Sequence, residues 1–117
     1  MDLVTILNVL IALLSIGFGA AGWLAPGYTM KTVDLKDGGS TMGTSEVRAA
    51  SGALFVVAGI GALLLWTPAA FAMLGFIWLG GGVGRLTSLV LDGRTSLKWK
   101  FFAAELVIGV LGIWINI

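Results

Sequence analysis

The stretch GGGVGRLTSLVLDGR, residues 80–94, places an arginine inside an apolar pattern. Upstream, residues 49–84 contain no Asp, Glu, Lys or Arg. Arg85 then arrives before the pattern has ended, and Leu86, Leu89, Val90 and Leu91 follow it. Asp92-Gly93 is the next turn signal. At helical rise, Arg85 lies about 10 Å below that end. What surrounds a permanent charge at that depth decides the fold.

Composition restricts the surroundings. The chain of 117 residues is 58% hydrophobic and 11% charged, where soluble domains carry about 25% charged residues. Seven basic and six acidic residues cannot make a water-compatible surface for a protein of this size. An integral membrane protein is the economical reading. The net charge of +1 gives no reason to expect a nucleic-acid partner. There is no Cys and no His. Disulfides, thiol chemistry, iron–sulfur clusters, the common zinc sites, His-ligated haem and the usual general base are all excluded. No catalytic residue, metal site or cofactor is therefore expected.

Four spans fit the hydropathy, each near the 20 residues a bilayer requires. They cover residues 3–25, 46–66, 69–91 and 99–117 of a single transmembrane domain. The first reads as a retained span and not a signal peptide. Only Asp2 precedes it, no Lys or Arg does, and the apolar run is too long for such a leader. The charge-free stretch 49–84 would measure about 54 Å as one helix, too long for a single crossing. Thr67-Pro68 divides it, because proline disfavours helix before it and starts helix after it. The polar loop 26–45 carries Pro26-Gly27 and Asp37-Gly38-Gly39-Ser40 as turn chemistry, with Met30, Val33 and Leu35 suited to an interfacial segment. Thr44 or Ser45 is the expected cap of the second span, with Glu46 near its positive end.

With four spans, the termini and Thr67-Pro68 share one side, which holds no Lys or Arg. Lys31, Lys36, Arg48, Arg85, Arg94, Lys98 and Lys100 all lie toward the other. The positive-inside rule makes that side cytoplasmic, with both termini outside the inner (plasma) membrane. Arg94, Lys98 and Lys100 are placed to reach anionic lipid head groups.

Each span has a small or polar stripe at spacings of three and four, which mark one helix face. The stripes are Asn8, Ala12, Ser15, Gly19 and Gly22; then Arg48, Gly52, Gly59 and Ala62, interrupted by Phe55. Gly81, Arg85, Ser88 and Asp92 follow, and finally Glu105, Gly109, Gly112 and Asn116. In lipid, small and polar residues gather at helix contacts while large apolar ones face outward. The expected fold is all-α, an integral membrane four-helix bundle with these stripes inward. Gly80 and Gly84 form a small-xxx-small pair that suits close helix approach. They do not make a phosphate-binding loop, which would require a following Lys and Ser or Thr. The glycine-rich faces also permit a homodimer or a membrane-protein partner beside membrane lipids.

Glu105 lies about 9 Å inside the fourth span, measured from the same face as Arg85. The two can meet on adjacent helices. With Glu46, Arg48 and Asp92 they define a candidate polar cluster of two positive and three negative groups. Such a cluster is either a structural latch or a pocket for an ion, a proton or a small head group.

The segments SEVRAASGALFVVAGIGALLL (45–65) and GRLTSLVLDG (84–93), with the late acidic Glu105, resemble the DUF4345 family, small four-span bacterial membrane proteins of unknown function. The AASG at 49–52 departs from the aromatic and paired glycines expected there. The resemblance implies a four-span bundle and a polar cluster of Glu46, Arg48, Arg85, Asp92 and Glu105, and it implies no reaction. The favoured function is a non-enzymatic accessory or small-ligand-binding membrane protein. A small proton-coupled transporter and a lipid- or quinone-acting membrane enzyme are the alternatives. The first span lacks the Glu that small multidrug exporters carry there, and no nucleophile–base pair is visible.

Overall fold

The computed structural model describes residues 1–117. It is all-helical, without strands. The helices are α1 (Leu3–Leu24), α2 (Pro26–Thr32), α3 (Met42–Leu65), α4 (Pro68–Leu91) and α5 (Ser96–Trp114). Three of them, α1, α3 and α4, are long and apolar enough to cross a membrane. Only 28% of the most apolar window of each is buried within the protein. Leu13, Leu14, Val57, Leu64, Val83 and Val90 all point outward. Apolar side chains exposed in this number are unfavourable in water and cost nothing in lipid. The fourth expected span corresponds to α5, which carries Lys98, Lys100 and Glu105 in its first half.

Local signals explain most helix ends. Asp2 precedes α1 and accepts the Thr5 N–H at 2.8 Å. The Thr67 side chain accepts from the Ala70 N–H at 3.2 Å, with Pro68 in the first helical position of α4. Thr95 does the same for α5, accepting from Lys98 N–H at 3.2 Å. Trp66 follows α3 with a left-handed φ of 51°. That conformation costs a non-glycine residue about 1–2 kcal/mol. Asp92-Gly93 ends α4, and Gly93 has φ 91°. The start of α3 differs from the expected one. It lies at Met42, preceded by Thr41 without a side-chain cap, so Thr44 and Ser45 are already inside the helix. The loop also contains α2, which begins at Pro26 and buries Pro26, Thr29 and Met30.

The chain divides into two compact units. The first comprises Met1–Ile11 and Leu65–Ile117, the second Ala12–Leu64. In the first unit α4 and α5 run antiparallel: Gly75 packs on Gly112 and Ile113, Leu79 on Gly109, and Gly82 beside Glu105. A Cβ on Gly109 would fall 2.6 Å from the Leu79 backbone N, and one on Gly75 would fall 2.8 Å from that of Ile113. Only glycine permits backbones this close. The start of α1 joins this unit through a reciprocal amide pair. Asn8 Nδ2 donates to Asn116 Oδ1, and Asn116 Nδ2 donates to Asn8 Oδ1, both at 2.8 Å. In the second unit α1 and α3 are antiparallel, with Gly19 and Gly22 against Ser51, Gly52 and Val56, and Gly59 against Ala12 and Ile16. Phe18 and Phe55 meet edge to face at 5.4 Å.

The expected stripes of α1 and α5 are the buried faces: Asn8, Ala12, Ser15, Gly19 and Gly22, then Glu105, Gly109 and Gly112. The stripe of α3 is displaced in its first half. A π-helical turn at Ala49–Ala53 inserts an extra residue, so Val47 and not Arg48 shares the buried face with Gly52, Val56, Gly59 and Ala62. The stripe of α4 is rotated. Ala72, Gly75, Trp78, Gly82 and Leu89 are buried, whereas Gly81 and Asp92 are exposed. A Cβ at Gly80 or Gly84 would find nothing within 4 Å. The expected small-xxx-small approach is not made within the chain.

Candidate functional site

The antiparallel α4–α5 hairpin brings Arg85 and Glu105 together. Arg85 Nε and Nη2 both donate to Glu105 Oε1, at 3.0 and 2.9 Å. Helix register causes this. Gly82 lies beside the Glu105 Cβ, and Arg85 is one turn farther along the same face of α4. The Arg85 guanidinium also stands over the Phe101 ring, 5.4 Å from its centroid. That stacking reduces the desolvation penalty of the cation.

The pair is asymmetric in two respects. Glu105 is buried, with 10% of its side chain accessible, while Arg85 keeps 39%. The hydrogen bonds also converge on one oxygen. A side-on arginine fork normally places one donor on each carboxylate oxygen. Here Glu105 Oε2 is buried with no hydrogen-bond partner. Arg85 Nη1 makes no hydrogen bond within the chain either. Gly81 lies directly in front of Oε2; a Cβ there would come within 2.6 Å of it. The sequence marked Gly81 for helix contact. Its role in the structure is to leave room for a carboxylate oxygen.

The other expected site residues are distributed as follows. Asp92 follows α4 in the same unit and is exposed. Lys98, also in that unit, folds back so that Nζ donates to the Gly93 carbonyl at 2.9 Å and the Asp92 carbonyl at 3.5 Å. It thereby satisfies carbonyls at the end of α4, a duty that sequence reasoning had not given it. Glu46 and Arg48 belong to the second unit and are exposed. Arg48 Nη1 donates to the Trp23 carbonyl at 2.7 Å, a cation on the carbonyl end of α1. Glu46 lies within α3, beyond its first turn. The arginine–glutamate pair is the charged centre of the α4–α5 hairpin. A separate recess of about 380 Å³ in the same unit is lined by Thr5, Asn8, Trp66, Phe71 and Asn116 among others, with no charged side chain.

Three helices long and apolar enough to cross a bilayer, in an all-helical chain, are consistent with a membrane protein. The chain belongs to the DUF4345 family, a domain of unknown function, whose profile matches residues 3–116, nearly its whole length. No curated protein and no solved structure matches it.

Proposed function

We propose that the protein is a non-enzymatic integral membrane protein of four spans, an accessory or ligand-binding bundle whose polar centre is Arg85–Glu105. The α5 helix of 19 residues is about 28 Å long, sufficient for a fourth crossing. The positive-inside rule then favours an inner-membrane protein with both termini outside and the pair toward the cytoplasmic side. Membrane lipids are its expected partners, and the open glycines 80 and 84 leave a face suited to a second copy or another membrane protein.

The observation that carries the ligand-binding reading is the unspent half of the pair. A latch would use both carboxylate oxygens; this pair leaves Oε2 without a donor and Nη1 without an acceptor. An intramembrane charge with a free donor edge is suited to a phosphate head group. Native mass spectrometry of protein released from phospholipid nanodiscs tests this. The wild type should retain phospholipid adducts that Arg85→Gln loses; equal retention in both would remove the reading. The transporter alternative draws on the same unpartnered Oε2. It requires proton-driven flux in proteoliposomes that vanishes in Glu105→Gln.

A further inference from the structure

We infer that the Arg85–Glu105 site selects a zwitterionic phosphate ester with a primary ammonium, the aminoethyl phosphate head group, over its trimethylated counterpart. The inference rests on the proposed phospholipid-binding role and names the chemistry that the site distinguishes.

Three observations define the chemistry. Oε2 is a buried carboxylate oxygen that accepts nothing, and an ionised oxygen left in that state is destabilising. It therefore calls for a hydrogen-bond donor, preferably a cationic one. Arg85, by contrast, is part-exposed and retains donors on Nη1. It calls for an anionic acceptor. The route between them passes Gly81, one helical turn before Arg85 on α4. The three atoms nearest to a Cβ position on Gly81 all belong to Glu105, at 2.6, 3.4 and 3.9 Å. Gly81 is itself exposed.

Charge balance selects the ligand. Arg85 and Glu105 sum to zero. An anionic head group would satisfy the guanidinium and repel the carboxylate. A zwitterion laid antiparallel to the pair satisfies both, with phosphate on Nη1 and ammonium on Oε2. Phosphate and ammonium in an aminoethyl ester are separated by two carbons, and the guanidinium and carboxylate that would take them adjoin, with Nε and Nη2 at 3.0 and 2.9 Å from Oε1. A trimethylated ammonium has the same charge but no N–H, so it cannot donate to Oε2.

The experiment uses the wild-type protein in nanodiscs of phosphatidylcholine doped with phosphatidylethanolamine, its N-methyl and N,N-dimethyl derivatives, or phosphatidylglycerol, read by native mass spectrometry. Retention should fall along the methylation series, with phosphatidylethanolamine favoured over phosphatidylcholine by about tenfold or more, as expected for a charge-assisted hydrogen bond. Free phosphoethanolamine added as competitor should displace the lipid if the head group alone is recognised, and should leave it in place if the acyl chains are also needed. Gly81→Ala, which crowds Oε2, should abolish the preference for phosphatidylethanolamine over phosphatidylcholine. Equal retention of ethanolamine and choline lipids, both lost in Arg85→Gln, would overturn this inference and leave the phospholipid reading standing. Retention indifferent to Arg85 would overturn both. A preference for phosphatidylglycerol would show that the site ranks ligands by negative charge and would likewise overturn the inference.

Discussion

Replacing Gly109 by alanine should loosen the hairpin that holds the charge pair. The added Cβ would lie 2.6 Å from the Leu79 backbone N, 2.8 Å from its Cα and 2.9 Å from its Cβ. Carbon contacts are comfortable at about 3.5–4.0 Å. Two of these neighbours are backbone atoms, which cannot turn aside as a flexible side chain could. Helix α5 must therefore withdraw from α4 by about 1 Å, and the contacts of Gly75 with Gly112 and Ile113 stretch with it. Overpacking of this kind costs about 1–3 kcal/mol. Gly80→Ala is the matched control. Nothing lies within 4 Å of its Cβ, and alanine is the better helix former by about 1 kcal/mol. Reversible unfolding in mixed micelles on titration with sodium dodecyl sulfate, followed by far-UV circular dichroism, measures both. Gly109→Ala should unfold at lower detergent fraction than the wild type, and Gly80→Ala at an equal or higher one. Equal midpoints for the two variants would refute the seam.

Further expectations follow from other contacts. Asn8→Ala or Asn116→Ala leaves a part-buried amide without its partner and should cost about 1–3 kcal/mol each; the double variant should cost less than the sum, and strict additivity in the same unfolding assay would dissolve the pair. Arg48→Ala should fray the end of α1 by removing the donor to the Trp23 carbonyl, seen as faster amide exchange in the α2 segment, whereas Arg94→Ala should not. The Thr5 backbone N–H, with help from the Thr5 side chain, holds the Asp2 carboxyl below its ordinary value. A depressed folded-state value means that this cap stabilises α1 above the ordinary carboxylate range and is lost as pH falls through the folded value. Amide exchange at Thr5 should accelerate in that window in the wild type. It should stay flat in Asp2→Asn, which keeps the cap without the titration.

The faces of α1 and α5 were legible because small residues occupy one side of each helix and large apolar residues the rest. Asn8, Ser15 and Gly19, or Glu105, Gly109 and Gly112, admit only one phase. In α4 that contrast fails. Ala69, Ala70, Ala72, Gly75, the glycines at 80–82 and Gly84 surround the helix, so composition alone cannot choose among several phases. Reading from Arg85 selected Gly81, Ser88 and Asp92, while packing selects Gly75, Trp78, Gly82 and Leu89. Gly75 was missed altogether. Its signal was the spacing of seven to Gly82. Arg48 was misplaced for another reason: a π turn changes the helical phase by one residue, and the AASG segment gives no periodic sign of it. The Arg85–Glu105 pair was legible from depth alone. Its asymmetry was not, since which carboxylate oxygen receives the donors depends on the Gly81 backbone and side-chain torsions that no sequence pattern encodes.

The account depends most on Arg85 and Glu105 acting on each other. A double-mutant cycle of Arg85→Met and Glu105→Leu, scored by unfolding free energy in mixed micelles, measures that directly. Each single change strands a charge, so the double variant should be no less stable than either single one, with a coupling of about 1–3 kcal/mol. Losses that simply add, with no coupling, would contradict it.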